Sequence, residues 1–229
     1  MTDLSNWAGR NPVEKKILEG QFVRLEPLDL EKHGHQLFDA ITMSDADERF
    51  RYLLEVPPAN YDDFLPWLEK AQASDDPLYF AVIDKSSGRV AGRQTFLRTD
   101  PAHGVTEIGH ILWSAMIARK PATTEAFFLF AKYVFDDLNY RRFEWKCNNA
   151  NQPSKRAAIR YGMSPEGVHR QVLVAKGENR DTAWFSMLDH EWPVCKAAFE
   201  SWLSPENFDA TGRQIKKLET IRSQLAGVD

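Results

Sequence analysis

The sequence has few cysteines and no long apolar run, and both absences narrow the class of protein. Its two cysteines, Cys147 and Cys195, are too few for a disulfide framework and have no metal-ligand spacing. Cys147 has no histidine at a catalytic spacing and is interpreted as a buried strand residue. No stretch of eighteen apolar residues occurs, and MTDLSNWAGRNP lacks the basic-then-apolar order of a signal peptide. We therefore expect a cytoplasmic protein with two free thiols.

A surplus of positive charge is also missing. The net charge of −4 argues against nucleic acid as a bulk partner. The distribution is nevertheless uneven: thirteen acids and four bases lie between Glu26 and Asp76, and seven bases and two acids between Arg141 and Arg170. The first segment suits a cationic ligand and the second an anionic one, with solvated surfaces as the alternative for both.

Apolar periodicity predicts one mixed α/β domain. The composition, 43% apolar and 27% charged, is typical of a globular chain. The patterns run β-α-α-β-β-β-α-β-α-β-β and then become helical, which excludes the repeated βαβ units of a simple Rossmann fold. We expect an N-terminal arm over residues 1–20, the domain over 21–190, and a helical extension over 191–229 that packs on the domain.

Several elements have signals of their own. The turn KSSG separates the strand-like runs LYFAVID and RVAGRQTFLR, as in a hairpin. A second hairpin is predicted across GENR, between HRQVLVAK and DTAWFSML. Apolar residues at three- and four-residue spacing predict a helix from about Ala122 to Leu138. An amphipathic last helix is predicted from Ile215, Leu218, Ile221 and Leu225.

The polar turn ARKPATT lies between the strand EIGHILW and a helix that begins TTEAF. A helix N-terminus that follows a strand presents backbone amides and positive dipole charge, the features of an anion site. With Pro121 as the first helical residue, we expect the amides of Lys120, Ala122 and Thr123 to be free to donate. Further charge or hydroxyl groups come from Arg119, Lys120, Thr123 and Thr124. A pyrophosphate fits this chemistry, and an ordinary solvated helix cap is the alternative.

Four stretches resemble the GCN5-related N-acetyltransferase (GNAT) superfamily, in particular its branch that acetylates ribosomal-protein N-termini. FVRLEPL resembles the first strand of that fold, EIGHILW its central fourth strand, and ARKPATTEA its pyrophosphate loop. NQPSKRAAIRYGM is similar to the family's Asn-x-x-Ser helix. The resemblance covers roughly residues 20–190. The chain departs from the family where loop glycines are expected, at Ala118, Pro121 and Thr123.

The resemblance implies a fold, a donor and a reaction. The fold is a central twisted mixed sheet of about seven strands flanked by helices, with the C-terminal helical extension added. The donor is acetyl-CoA, used without a metal, and the acceptor is a peptide N-terminus or a small cationic amine. Neither nucleic acid nor a membrane is expected as a partner, and a homodimer is a family-level expectation. The residues expected to bind the cofactor are Leu112, Trp113, Ser114, Arg119, Lys120, Ala122, Thr123, Thr124, Asn151, Ser154 and Arg156.

The reaction needs a base, because a free lysine-type amine is protonated at neutral pH. Glu107 is the first candidate, since the family often places a carboxylate there, and His110 is the second, since imidazole suits this work. Three positions apart in a regular strand, they point to opposite faces unless a bulge intervenes. By resemblance Tyr161 is the candidate general acid, with a core aromatic as the alternative. Asn151 and Ser154 have helix capping as their alternative role.

Two other functions stay open at the level of the sequence. The missing loop glycines are compatible with a protein of the same fold that binds acyl-CoA without turnover. The amphipathic C-terminal helix is compatible with an interaction module that docks a partner. Neither alternative requires the candidate base Glu107.

Overall fold

The computed structural model of the protein describes residues 3–227, in which it shows eight strands and seven α-helices. The strands are β1 (Leu18–Glu19), β2 (Val23–Pro27), β3 (Leu78–Asp84), β4 (Arg89–Asp100), β5 (Val105–Trp113), β6 (Arg142–Asn148), β7 (Ser164–Ala175) and β8 (Glu178–Leu188). The helices are α1 (Leu30–Ile41), α2 (Ala46–Phe50), α3 (Tyr61–Ala73), α4 (Pro121–Lys132), α5 (Gln152–Arg160), α6 (Trp192–Leu203) and α7 (Leu218–Leu225). Within these residues no helix is long and apolar enough to cross a membrane.

All eight strands form one sheet in the order β1-β2-β3-β4-β5-β6-β8-β7. Neighbouring strands are antiparallel except β5 and β6, which are parallel. The predicted mixed sheet is therefore confirmed. The eighth strand is β1, which lies inside the predicted N-terminal arm and pairs with β2.

Both predicted hairpins are present, but the second turns earlier than its sequence suggested. β3 and β4 flank residues 85–88, as predicted. β7 and β8 are joined by Lys176 and Gly177 alone, with φ of 52° and 81°. Two successive residues with positive φ give a tight turn whose twist matches that of a hairpin. GENR is therefore wrong as the turn, because Glu178 already belongs to β8.

Helices cover both faces of the sheet and bury an apolar core on each. Successive residues of β3 point to opposite faces, so Phe80 packs against Phe130 of α4, and Tyr79 packs against Trp67 of α3. On the α4 side Phe130 stacks on Phe96 with ring centroids 3.7 Å apart. The central strands are thus held from both sides, which gives the site a rigid frame.

The long helix predicted from about Ala122 to Leu138 is continuous but changes type. α4 passes directly into one π-helical turn, Tyr133–Asp137. Every residue from 122 to 131 is buried. The N-terminus of α4 is therefore fixed relative to β5, the strand that precedes it.

The C-terminal extension packs on the domain, but its last helix is shorter than predicted. Leu218 and Ile221 of α7 are buried in the core with α6. Ile215 lies outside α7 and is 63% exposed, and Leu225 is 51% exposed. The predicted stripe is wrong at Ile215, because residues 204–217 form a separate turn before the helix begins, and at Leu225, which is the exposed last residue of α7. Leu218 and Ile221, the two central residues of the predicted stripe, pack in the core of the protein.

Candidate active site

The parallel strands β5 and β6 pair only over their first residues and then separate. Pairing runs from Val105 opposite Arg142 to Ile108 opposite Trp145, although β5 continues to Trp113. Two cavities lie at this separation. We call the larger, of about 960 Å³, the basic groove, and the smaller, of about 210 Å³, the inner cavity.

The basic groove runs from the end of β5 past the N-terminus of α4 to α5 and the C-terminal extension. Among the described residues its lining has no carboxylate but six basic side chains: Arg49, Arg119, Lys120, Arg156, Arg160 and Arg213. Such an excess of one sign favours an anionic ligand. The predicted cofactor residues that line it are Leu112, Trp113, Arg119, Lys120, Thr123, Thr124 and Arg156. Ser114 and Ala122 are buried outside this lining.

The turn before α4 uses two of its amides internally. The Lys120 amide donates to the Ile117 carbonyl at 3.1 Å, and the Thr123 amide donates to the Lys120 carbonyl at 3.2 Å. The expectation that both are free is therefore wrong. Pro121 does occupy the first helical position. Arg119 has a φ of 61°, the left-handed conformation that glycine adopts most readily, so a bend is made here without glycine.

The inner cavity contains both candidate bases, because β5 carries a bulge. His110 has a φ of 45°, and the pairing with β4 shifts register between Arg93 and Thr95. One extra residue in a strand reverses the faces of those that follow. Glu107 and His110 therefore line the same cavity, and the expectation for a regular strand does not apply.

Glu107 is the more deeply buried of the two, with 1% of its surface exposed. Its Oε2 lies 3.1 Å from Lys146 Nζ and 3.8 Å from Arg98 Nε. Burial raises the pKa of Glu107 to about 7, and the charge of Lys146 opposes this rise. A carboxylate that titrates near neutrality is suited to accept a proton at physiological pH.

His110 is linked to a carboxylate that the sequence did not single out, Glu55. Its Nδ1 lies 3.6 Å from Glu55 Oε1, and Glu55 Oε2 lies 3.3 Å from Arg93 Nη2. Arg93 is 2% exposed, and its guanidinium lies over the Trp67 ring at 4.3 Å. Burial favours the neutral acid, but His110 and the charge of Arg93 lower the pKa of Glu55 to about 2. In the sequence Glu55 is only one acid among thirteen, and nothing local marks it.

Tyr161 lies in the wall of the basic groove and not in the inner cavity. It is buried, its hydroxyl donates to the Thr123 carbonyl at 3.4 Å, and its ring stacks on Phe127 with centroids 4.5 Å apart. Burial raises the pKa of its phenol. The structure does not bring Tyr161 together with Glu107 and His110, and its role as general acid stays a prediction beside that of a core aromatic.

Asn151 and Ser154 both line the inner cavity and both have local structural bonds. Asn151 Oδ1 accepts from the Ser154 amide at 3.1 Å and so caps α5, as the alternative predicted. Ser154 Oγ accepts from Trp145 Nε1 at 3.0 Å. Gly162 ends this helix with a φ of 94°, in the left-handed region expected for it. Contact of either side chain with a cofactor stays a prediction.

The acids of the segment between Glu26 and Asp76 contribute nothing to the described lining of the inner cavity. Two of them, Glu55 and Asp63, line a separate, largely apolar cavity of about 350 Å³ beside α3. The basic members of the inner cavity are Lys146 and Arg180. Apart from Glu55, which pairs with His110, the acids of this segment can therefore act on the approach of a cation but do not surround the reacting groups.

Comparison with known proteins identifies the family. The sequence profile of the acetyltransferase (GNAT) domain matches residues 23–164, more than half of the chain. The protein belongs to the GNAT acetyltransferase family and is a GNAT-type N-acetyltransferase, for which acetyl-CoA is the typical acyl donor. The predicted enzyme class is confirmed.

Individual relatives agree with this placement. A GCN5-related N-acetyltransferase from Brucella melitensis is 59% identical, with a TM-score of 0.95, over 96% of this chain and 100% of that one. A probable GNAT-family acetyltransferase from Chromobacterium violaceum is 37% identical, with a TM-score of 0.78, over 84% and 96%. An uncharacterized N-acetyltransferase, p20, of Bacillus licheniformis is 28% identical over 166 residues, 66% of this chain and 90% of the relative.

Proposed function

We propose that the protein transfers the acetyl group of acetyl-CoA to a primary amine by direct attack in a ternary complex. One observation carries the proposal: a groove whose described lining has six basic and no acidic side chains adjoins a cavity in which Glu107 has a pKa of about 7. The groove suits the phosphates of the donor, and the cavity suits deprotonation of the acceptor.

The reaction makes one C–N bond, breaks one C–S bond and removes two protons from an ammonium acceptor, one before the attack and one from the tetrahedral adduct; the thiolate takes up one and solvent receives the other. The amine nitrogen attacks the thioester carbonyl, the C–S bond of the tetrahedral adduct breaks, and CoA leaves as a thiolate that takes up a proton. Glu107 accepts the amine proton, directly or through water. His110, paired with the ionised Glu55, is the second candidate for this role.

The proposed acceptor is a peptide N-terminus or a small cationic amine. The branch that the sequence resembles acetylates the N-termini of ribosomal proteins. The excess of acids between Glu26 and Asp76 favours the approach of a cation. Both arguments support a positively charged acceptor that loses its proton only inside the cavity.

The test is release of free CoA thiol from acetyl-CoA in the presence of an amine panel: peptides with different N-terminal residues, polyamines and aminoglycosides. Transfer to at least one class is expected, and Glu107→Gln should lower kcat/KM by roughly 100-fold, the scale of one acid–base group. Glu219→Gln, at an exposed position of α7, is the matched control. Binding of acetyl-CoA without transfer to any amine would contradict the proposal.

A further inference from the structure

Part of the wall of the basic groove lies outside the region that matches the GNAT profile. The profile match ends at residue 164. The wall residues beyond it are Trp202, Phe208, Gly212, Arg213 and Gln214. They belong to the C-terminal extension, so this end of the groove is made by a segment added to the shared domain.

The added wall is held in place by its own hydrogen bonds. Asn207 is buried, donates from Nδ2 to the carbonyls of Trp202 and Lys216, and accepts at Oδ1 from the Lys216 amide at 2.9 Å. Gln214 Oε1 accepts from the Trp202 indole at 2.8 Å, and Phe208 pairs with Gln214 in an antiparallel bridge. A segment fixed in this way forms a surface before a ligand arrives, which lowers the entropy lost on binding.

The extension also positions a guanidinium of α5. Arg160 lies over the Trp202 ring, 4.8 Å from its centroid, and donates from Nη1 to Thr124 Oγ1 at 2.9 Å. Arg222 of α7 donates to the Arg160 carbonyl at 2.7 Å. The start of α4, the end of α5 and the extension therefore meet at one point of the basic groove.

The order of the groove matches the order of groups along CoA. Ile111 of β5 lines both the groove and the inner cavity, so the two adjoin there, where a thioester must lie. Arg119 and Lys120 at the start of α4 come next, where a pyrophosphate fits. The adenosine and its 3′-phosphate then fall at the remaining end, which contains Arg213.

We propose that residues 202–214 form the binding wall for the adenosine end of CoA, and that Arg213 pairs with its 3′-phosphate. The inference rests on the proposed function, since it takes acetyl-CoA as the donor. Arg213 is exposed, and within the described residues its guanidinium has no carboxylate partner. A guanidinium binds phosphate through two parallel hydrogen bonds. Phe208, which is half-buried, adds aromatic surface of the kind on which a base packs.

The experiment is isothermal titration of the full-length protein with CoA and with dephospho-CoA, which differ only in the 3′-phosphate. Wild-type protein should bind CoA about tenfold more tightly, the effect of one charge-assisted pair. Arg213→Ala should remove most of that difference and leave the Kd of dephospho-CoA nearly unchanged. Lys217→Ala removes a charge from the same C-terminal extension, outside the groove lining, and should preserve the difference.

A second variant tests the wall independently of the phosphate. Gln214→Ala removes the bond to Trp202 and should weaken CoA and dephospho-CoA by the same factor of about three, since it loosens a surface that both ligands contact. Melting curves check that each variant is folded. Unchanged binding in both variants would overturn the inference, as would equal weakening of the two ligands by Arg213→Ala. Failure of wild-type protein to bind CoA would instead remove the proposed function.

Discussion

At the scale of the residue, the inner cavity contains two candidate proton acceptors, Glu107 and His110, whose neighbouring side chains differ. Burial raises the pKa of Glu107, and the charge of the neighbouring Lys146 opposes this rise. His110 is backed by Glu55, which Arg93 in turn holds ionised. Because the two groups differ in this way, single substitutions distinguish their roles.

Glu107→Gln should abolish the low-pH limb of the activity profile. In the wild type, kcat/KM should fall as the pH drops below about 7, because the carboxylate of Glu107 has a pKa of about 7 and only its ionised form accepts a proton. The amide cannot titrate. The measurement is kcat/KM from pH 5.5 to 9, corrected for ionisation of the acceptor amine. An unchanged limb in the variant would transfer the role of base to His110.

Glu55→Gln should destabilise the fold, because it leaves Arg93 buried without a carboxylate. Removal of one partner from a buried ion pair costs about 3 kcal/mol. Urea unfolding at pH 7 measures the loss. Glu48→Gln, at an exposed position of α2, should change stability by less than ~0.5 kcal/mol. If the two variants proved equally stable, stacking on Trp67 would be sufficient to hold Arg93.

At the scale of the element, a single buried carboxylate connects α4 to the start of β2. Glu125 Oε1 accepts from the Gln21 amide at 2.7 Å, and its Oε2 accepts from the amides of Phe22 at 2.6 Å and Val23 at 2.8 Å. This bond set fixes the start of β2 against the helix whose N-terminus faces the basic groove.

Glu125→Gln should therefore lower the free energy of unfolding by about 2 kcal/mol. The glutamine side chain is uncharged and has a single acceptor oxygen for the three backbone N–H groups. The tilt of α4 should change with it, so CoA affinity should fall as well. Guanidinium unfolding and CoA titration measure the two effects. Glu219→Gln serves as the exposed control. Loss of stability without any loss of CoA affinity would show that CoA binding in the groove does not depend on the hydrogen bonds of Glu125.

At the scale of the whole molecule, the basic groove joins β5, α4, α5 and the C-terminal extension, so a bound donor links parts far apart in the chain. Acetyl-CoA at a hundredfold excess over Kd should stabilise the native state by about 2.7 kcal/mol. For a chain of this size that corresponds to a rise in Tm of roughly 5 to 10 °C. Thermal unfolding with and without acetyl-CoA measures it. No rise would contradict the assignment of the groove to the donor.

Much of the fold was predictable because its signals are local. The KSSG turn, the Asn151 cap and Gly162 at the end of α5 act through neighbouring residues alone, and the structure shows each in its expected place. The second hairpin and the last helix were placed less well. There the strand register and the packing of Leu218 and Ile221, rather than turn composition or spacing, decide where the elements begin.

The sequence by itself determined the order of elements, the likeness to the acetyltransferases and Glu107 as the leading candidate base, because motifs and periodicity are properties of contiguous residues. Only the tertiary structure decided that His110 lines the same cavity as Glu107, that Glu55 pairs with His110, and that Tyr161 lies outside this cavity. The bulge exists only through pairing with β4. The ion pairs and the groove wall at Arg213 join residues far apart in the chain, whose proximity depends on the packing of the whole fold.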